Sequence, residues 1–285
     1  MKKIISVLLS CIIFILLCCS CESEQVKQAK AAYSDGKYSE VVELLSKEEN
    51  LSESSQDMLT ISEANVLYEN KEYLEAVKKL ASSKDGLQNE QYEEMFSEAL
   101  NDAIANKSAD NVIELLQLDD SKQDVIYEAV TTACNDKDYN GFLVLDGLIE
   151  KLEDGDLKTK FASFNDEYDL LRAEAFLVGT WEWQIEGNEK FTKVKVVPYN
   201  NNLIGRIAEV GSDLEDYHYA TDDMYWENFE FESDTSFIVS NLTKTQDGTA
   251  MPQVSSGKID YESGEIEINV TNALDPIRTW KRIEE

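Results

Sequence analysis

The chain has 285 residues, with 57 acidic side chains against 26 basic ones, a formal net charge of −31, and a single histidine. An acidic excess of this size excludes a nucleic-acid reader, which needs a basic footprint to neutralise phosphates. It also makes the folded body repel anionic lipid heads, and one histidine cannot build a multi-histidine zinc site.

Residues 1–20 follow the three-part pattern of an export signal. Lys2 and Lys3 precede an apolar run over residues 4–17, interrupted only by Ser6, Ser10 and Cys11. At 14 residues the run is short for a membrane span, which needs about 20. The run ends in Cys18-Cys19-Ser20-Cys21. This ending resembles the lipobox of bacterial lipoproteins. The resemblance implies cleavage between Ser20 and Cys21 and a diacylglyceryl lipid on Cys21. It also implies a chain anchored by lipid to the cell membrane and facing its extracytoplasmic side. Cys18 stands where that family prefers leucine, and Leu16-Leu17-Cys18-Cys19 is a second frame that would place the lipid on Cys19. Residues 21–30 read as the lipidated N-terminus and a short tether. Once the leader is lost and Cys21 is modified, only Cys134 remains, so the mature chain can form no internal disulfide. Cys134 lies in the apolar-periodic Val130-Thr131-Thr132-Ala133-Cys134 and reads as a buried structural thiol.

Residues 28–177 predict a helical domain. Glycine is scarce there, proline is absent from residues 22–197, and residues 22–177 carry a net charge of −21. Tyr38 and Tyr73, 35 residues apart, occupy equivalent places in two related segments, 31–41 and 66–76. Weaker echoes fall at Ala109 and Tyr139. Apolar residues recur at helical spacing, as in Leu59, Val66 and Leu67, then Ala76, Val77 and Leu80. Polar breaks at Asp35-Gly36-Lys37 and Asn70-Lys71-Glu72 separate the two helices of a unit. The pattern resembles the tetratricopeptide repeat, a helix–turn–helix unit of about 34 residues, without that family's helix-breaking proline. The resemblance implies a solenoid whose groove docks a protein or peptide, with Asn65, Glu69, Asn101 and Asn135 as groove-facing candidates. A last helix over residues 157–178 would cover its open end.

From residue 178 the period changes to two and the composition turns to aromatic, β-branched and glycine residues. Glu265-Ile266-Glu267-Ile268-Asn269-Val270 alternates, and strands are also predicted at 192–197, 203–209, 224–231, 236–241 and 253–259. In Trp226-Glu227-Asn228-Phe229-Glu230-Phe231, strict alternation would put Trp226, Asn228 and Glu230 on one face. Eight or nine short strands in sequence fit a small antiparallel up-and-down barrel over 178–285, since closure removes exposed edges. The fold class is therefore multidomain α + β, helical hairpin repeats followed by this barrel. Gly179-Thr180-Trp181 at its start and Trp280-Lys281-Arg282 at its end resemble the lipocalin-like barrels. There an arginine lies over the first-strand tryptophan and closes one end. Here that implies a structural pair of Trp181 with Arg282, or with Arg278.

Little points to chemistry. No nucleophile elbow, phosphate loop or calcium loop occurs. His218, in Tyr217-His218-Tyr219, reads as a strand residue near the barrel rim. The expectation is a non-catalytic, lipid-anchored binding or scaffold protein without cofactor or metal. The alternative is a barrel that carries or senses a small apolar ligand.

Overall fold

The computed structural model describes residues 22–185, 190–212, 214–245, 247–271 and 276–283. Ser20, Cys21 and the leader lie outside the described residues. Among the described residues ten α-helices come first: α1 (Glu24–Ser34), α2 (Tyr38–Leu45), α3 (Glu53–Glu69), α4 (Tyr73–Ala81), α5 (Tyr92–Ala105), α6 (Ala109–Leu118), α7 (Gln123–Asn135), α8 (Tyr139–Lys151), α9 (Asp156–Glu167) and α10 (Asp169–Leu177). Among the described residues no helix is long and apolar enough to cross a membrane. Eight strands follow: β1 (Gly179–Trp183), β2 (Lys193–Tyr199), β3 (Asn202–Glu209), β4 (Met224–Ser233), β5 (Ser236–Lys244), β6 (Ala250–Asp260), β7 (Glu265–Val270) and β8 (Ile277–Ile283). Each pairs antiparallel with the next, and β8 returns to β1 to close the barrel.

α1 begins at Glu24, well inside the segment expected to be a tether, because Ser23 caps it: its Oγ accepts from the Val26 N–H at 3.2 Å. Four helix pairs then turn on one motif. Gly36, Lys71, Lys107 and Lys137 have left-handed φ of 70°, 66°, 58° and 62°. One residue later an N–H returns to a helix carbonyl: Lys37 to Ala32 and Glu72 to Leu67, both 2.9 Å, Ser108 to Ala103, 2.8 Å, and Asp138 to Ala133, 3.0 Å. This is the six-to-one ending that satisfies helix carbonyls left without a partner. It recurs even where the sequence echo fades, at Ala109 and Tyr139. In the first two pairs the tyrosines pack edge-to-face across the turn, Tyr33 with Tyr38 at 5.8 Å and Tyr68 with Tyr73 at 5.4 Å.

Two compact units divide the chain. One runs to Asp102 and takes in Glu114–Asp120; the other holds Ala103–Ile113 and Ser121–Glu285. In the first, Val26, Ala29 and Ala32 of α1 pack with Val41 and Leu45 of α2 and Leu59 of α3. In the second, Ala173, Phe176 and Leu177 of α10 belong to the barrel core. The single helix expected over 157–178 is thus two helices, parted at Tyr168, whose ring stacks on Phe164 at 4.3 Å. α9 buries Leu157, Phe161 and Phe164, whereas α10 turns its own apolar face to the barrel.

Alternation holds along most of the barrel: Val194 and Val196 point in from β2, Phe237 and Val239 from β5, and Ile266, Ile268 and Val270 from β7. It fails in β4. Gly205 pairs with Trp226 but Arg206 pairs with Met224, so Tyr225 is an extra residue and both Tyr225 and Trp226 are buried. A second register shift follows Glu227, where Asn228 has φ 55°. As a result Trp226 and Phe229, rather than Trp226, Asn228 and Glu230, share the core, with rings 6.5 Å apart. Such bulges bend a strand and redirect its side chains.

Candidate functional site

The proposed barrel-closing residues sit where α10 runs into β1. Three carbonyls at the end of α10 have no helical partner, and the barrel supplies a side-chain donor to each. Arg282 Nη1 donates to Phe176 O and Nη2 to Val178 O, both at 2.9 Å, and Trp181 Nε1 donates to Leu177 O at 2.8 Å. A guanidinium at a helix C-terminus also opposes the negative end of the helix dipole. Trp181 and Arg282 are cross-strand neighbours. The rings beneath the guanidinium are Tyr139, 5.2 Å, and Phe176, 5.8 Å, and Trp181 meets Phe176 at 5.4 Å. Tyr261 completes the collar, 4.9 Å from Phe176, with Arg172 5.2 Å above its ring. Arg172 is paired in turn with Asp146. Burial pushes the Asp146 carboxyl above its ordinary range, against the pull of Arg172. A cleft of about 470 Å³ opens beside the collar, lined in part by Tyr139, Asn140, Thr180 and Tyr261.

The middle of the barrel is filled with rings. Trp280 stacks on Trp183 at 5.5 Å and meets Trp226 edge-on at 4.7 Å, with Tyr225 at 5.9 Å. Beyond it, at the end away from α10, the second arginine of β8 also faces inward, two residues from Trp280. Arg278 lies 4.4 Å over Trp183 and donates to the Tyr225 hydroxyl at 2.9 Å. Asn241, only 1% exposed, faces inward from β5 beside Trp226. Asn241 was not singled out from the sequence; its signal was a polar residue on the inward phase of Phe237-Ile238-Val239-Ser240-Asn241. Tyr225 reads from the sequence as aromatic bulk for the barrel interior, and it is buried there.

The helical candidates are scattered. Asn65 is buried and exchanges amide hydrogen bonds with Gln91 at 3.0 and 3.1 Å, so it braces the first unit instead of facing a groove. Glu69, Asn101 and Asn135 are exposed. In the second unit a shallow groove of about 350 Å³ lies among Tyr127 of α7 and Lys160, Phe164 and Tyr168 of α9 and its end. Lys160 bonds Asp124 at 3.1 Å and stands 5.7 Å over the Tyr127 ring. Cys134 is fully buried and its thiol is pushed up to about 12 by burial. His218 is exposed in a left-handed turn, not in a strand, and its carbonyl accepts from Lys244 Nζ at 2.9 Å.

Compared with models of protein families, with curated proteins and with solved structures, the chain has no match.

Proposed function

We propose that this is a lipid-anchored, extracytoplasmic docking protein without a catalytic role, held to the cell membrane by a diacylglyceryl group on Cys21. The observation that carries the docking reading is the groove among Tyr127, Phe164 and Tyr168. Large apolar side chains stand exposed within two residues of it, Val125 at 44% and Leu170 at 51%. Aromatic rings in an accessible groove provide contact area at low entropic cost, as interface anchors do. The acidic body around it favours a partner segment with an apolar anchor and basic flanks. The buried, strongly protonated Cys134 and the exposed turn position of His218 support the non-catalytic part. With the lipid on Cys21, only Glu22 and Ser23 separate it from α1, a reach of roughly 10 Å at 3.3–3.6 Å per residue. An apolar-ligand carrier has less support, because Trp280 occupies the middle of the lumen.

Cross-linking in intact cells, read by mass spectrometry, tests the reading. One partner is expected to cross-link to the wild-type chain and be lost from a Tyr127→Glu, Tyr168→Glu variant that folds normally. A partner list unchanged by the variant overturns the docking reading. Cys21→Ala is expected to leave the chain unprocessed and free of acyl mass. A mature N-terminus other than lipidated Cys21 overturns the anchor.

A further inference from the structure

We propose that the cleft beside the collar binds a small phosphate monoester of the sugar-phosphate class, held by Lys107, Lys195 and Arg282. Its lining belongs entirely to the second compact unit. One side comes from the outer face of the barrel, where Thr180 of β1 pairs with Lys195 of β2 and Ile283 of β8. The first turn of α8 contributes another, with Tyr139 and Asn140. Asn140 Nδ2 donates to Ala105 O at 3.3 Å, which ties that turn to the loop carrying Lys107. Trp181, Val194 and Val196 point the opposite way, into the core, so the cleft lies outside the lumen. At about 470 Å³ it has the room of a small-molecule site.

Acidic residues make up a fifth of the chain, 57 of 285. Yet among the described residues that line the cleft none is acidic and three are cationic. A cleft focuses the field of the charges along it, so this one favours an anion. The rest of the body, at a net charge of −31, sets the size of that anion. A polyanion or an anionic bilayer would meet the acidic body as well, whereas a small ligand meets the lining alone. The kind of anion follows from the donors. Arg282 directs Nη1 and Nη2 to the carbonyls of Phe176 and Val178, so its planar fork is turned to the helix end and is not presented to a carboxylate. Those carbonyls are neutral and leave the charge of the guanidinium in place. Lys107 and Lys195 are exposed point charges on flexible stems. Three cations that offer no open fork suit a phosphate monoester, with its charge of about −1.5 to −2 at pH 7 spread over three oxygens. Asn140 and Ser263 supply hydrogen-bonding partners for hydroxyl groups on the ester. The cleft shares no lining residue with the docking groove, so the proposal does not rest on that reading.

Calorimetric titration of the full chain, in a non-ionic detergent, with glucose 6-phosphate tests it. Saturable one-to-one binding is expected. It should weaken by about fivefold or more in Lys107→Met and in Lys195→Met, as loss of a charged but exposed hydrogen-bond donor implies. Lys258→Met, which removes an exposed lysine of β6 outside the cleft, should leave binding unchanged. Lys195→Arg should keep it within about twofold of wild type, since the charge is retained. Near-ultraviolet circular dichroism checks that each variant folds. Glucuronate, which carries a carboxylate in place of the phosphate, and inorganic phosphate, which lacks the sugar, should each bind at least about tenfold more weakly. Absence of saturable binding, wild-type affinity in both cleft variants, or an equal loss in Lys258→Met overturns the proposal. Equal binding of glucuronate overturns the phosphate assignment, and equal binding of inorganic phosphate overturns the ester.

Discussion

Replacing Arg282 by methionine tests whether the barrel holds the end of α10. Methionine keeps most of the aliphatic length but removes two donors, leaving Phe176 O and Val178 O unpaired in the collar. A hydrogen bond to a charged group contributes about 1.5–3 kcal/mol. Two of these, with a cation–π contact of about 0.5–1 kcal/mol to Tyr139, sum to about 3.5–7 kcal/mol. Arg282 is only half-buried, so water can reach part of what is uncovered. The lower end, about 3.5 kcal/mol, is the expected loss. For a unit of this size that corresponds to a fall in Tm of about 7–14 °C. Urea unfolding followed by tryptophan fluorescence reads the barrel directly, and Arg282→Lys should recover less than half of the loss. A loss below about 1 kcal/mol in Arg282→Met would refute the capping role and leave the arginine as a surface charge.

The left-handed turns predict opposite signs at equivalent positions. Lys71→Gly should stabilise by about 0.5–1 kcal/mol by relieving a side chain from positive φ. Gly36→Ala should cost about 1 kcal/mol through the backbone alone, since nothing lies within 4 Å of the added Cβ; thermal melts of both check this. At Gly257 a Cβ would fall 2.1 Å from Phe237 Cζ, so Gly257→Ala should cost at least about 2 kcal/mol. Phe237→Leu in the same chain should restore part of that in a double-mutant cycle. Burial pushes the Cys134 thiol above its ordinary range in the folded chain, up to about 12. Its contribution to stability is therefore complete below about pH 9 and lost as the pH rises towards 12. Against Cys134→Ala, urea midpoints should show an extra slope of about 1.4 kcal/mol per pH unit in that window and none at pH 7. At pH 8 the native thiol should resist an aromatic disulfide reagent and react at once in denaturant.

Period and punctuation in the sequence carried most of the architecture. Glu265 to Val270 alternates without interruption and is a strand with those bounds, and the polar breaks at Gly36 and Lys71 are the turns. What could not be read depends on partners distant in sequence. The register shifts of β4 answer to the strands beside it, so Trp226 and Phe229 share a face that alternation denies them. Tyr168 interrupts a periodicity that looks continuous because α9 and α10 bury their faces against different neighbours. Asn65 looked like a groove amide because its partner, Gln91, is 26 residues away. The composition change at residue 178 marks where helix gives way to strand, yet compactness divides the chain elsewhere, because Phe176 and Leu177 are helical in sequence and barrel in packing. The collar shows the same limit: Trp181 and Arg282 are cross-strand neighbours, but the guanidinium lies over Tyr139 and Phe176, and the sequence carried no sign of those rings or of the helix carbonyls that both residues serve.

Two of the three donors that finish α10 come from more than a hundred residues further along the chain. During synthesis, which proceeds from the N-terminus, that helix is complete in sequence long before its end can be satisfied. The strand that supplies Arg282 is also the one that seals β1 against β8. Ring closure and helix completion therefore fall due in a single late event, and a nascent chain stopped short of Ile277 would lack both.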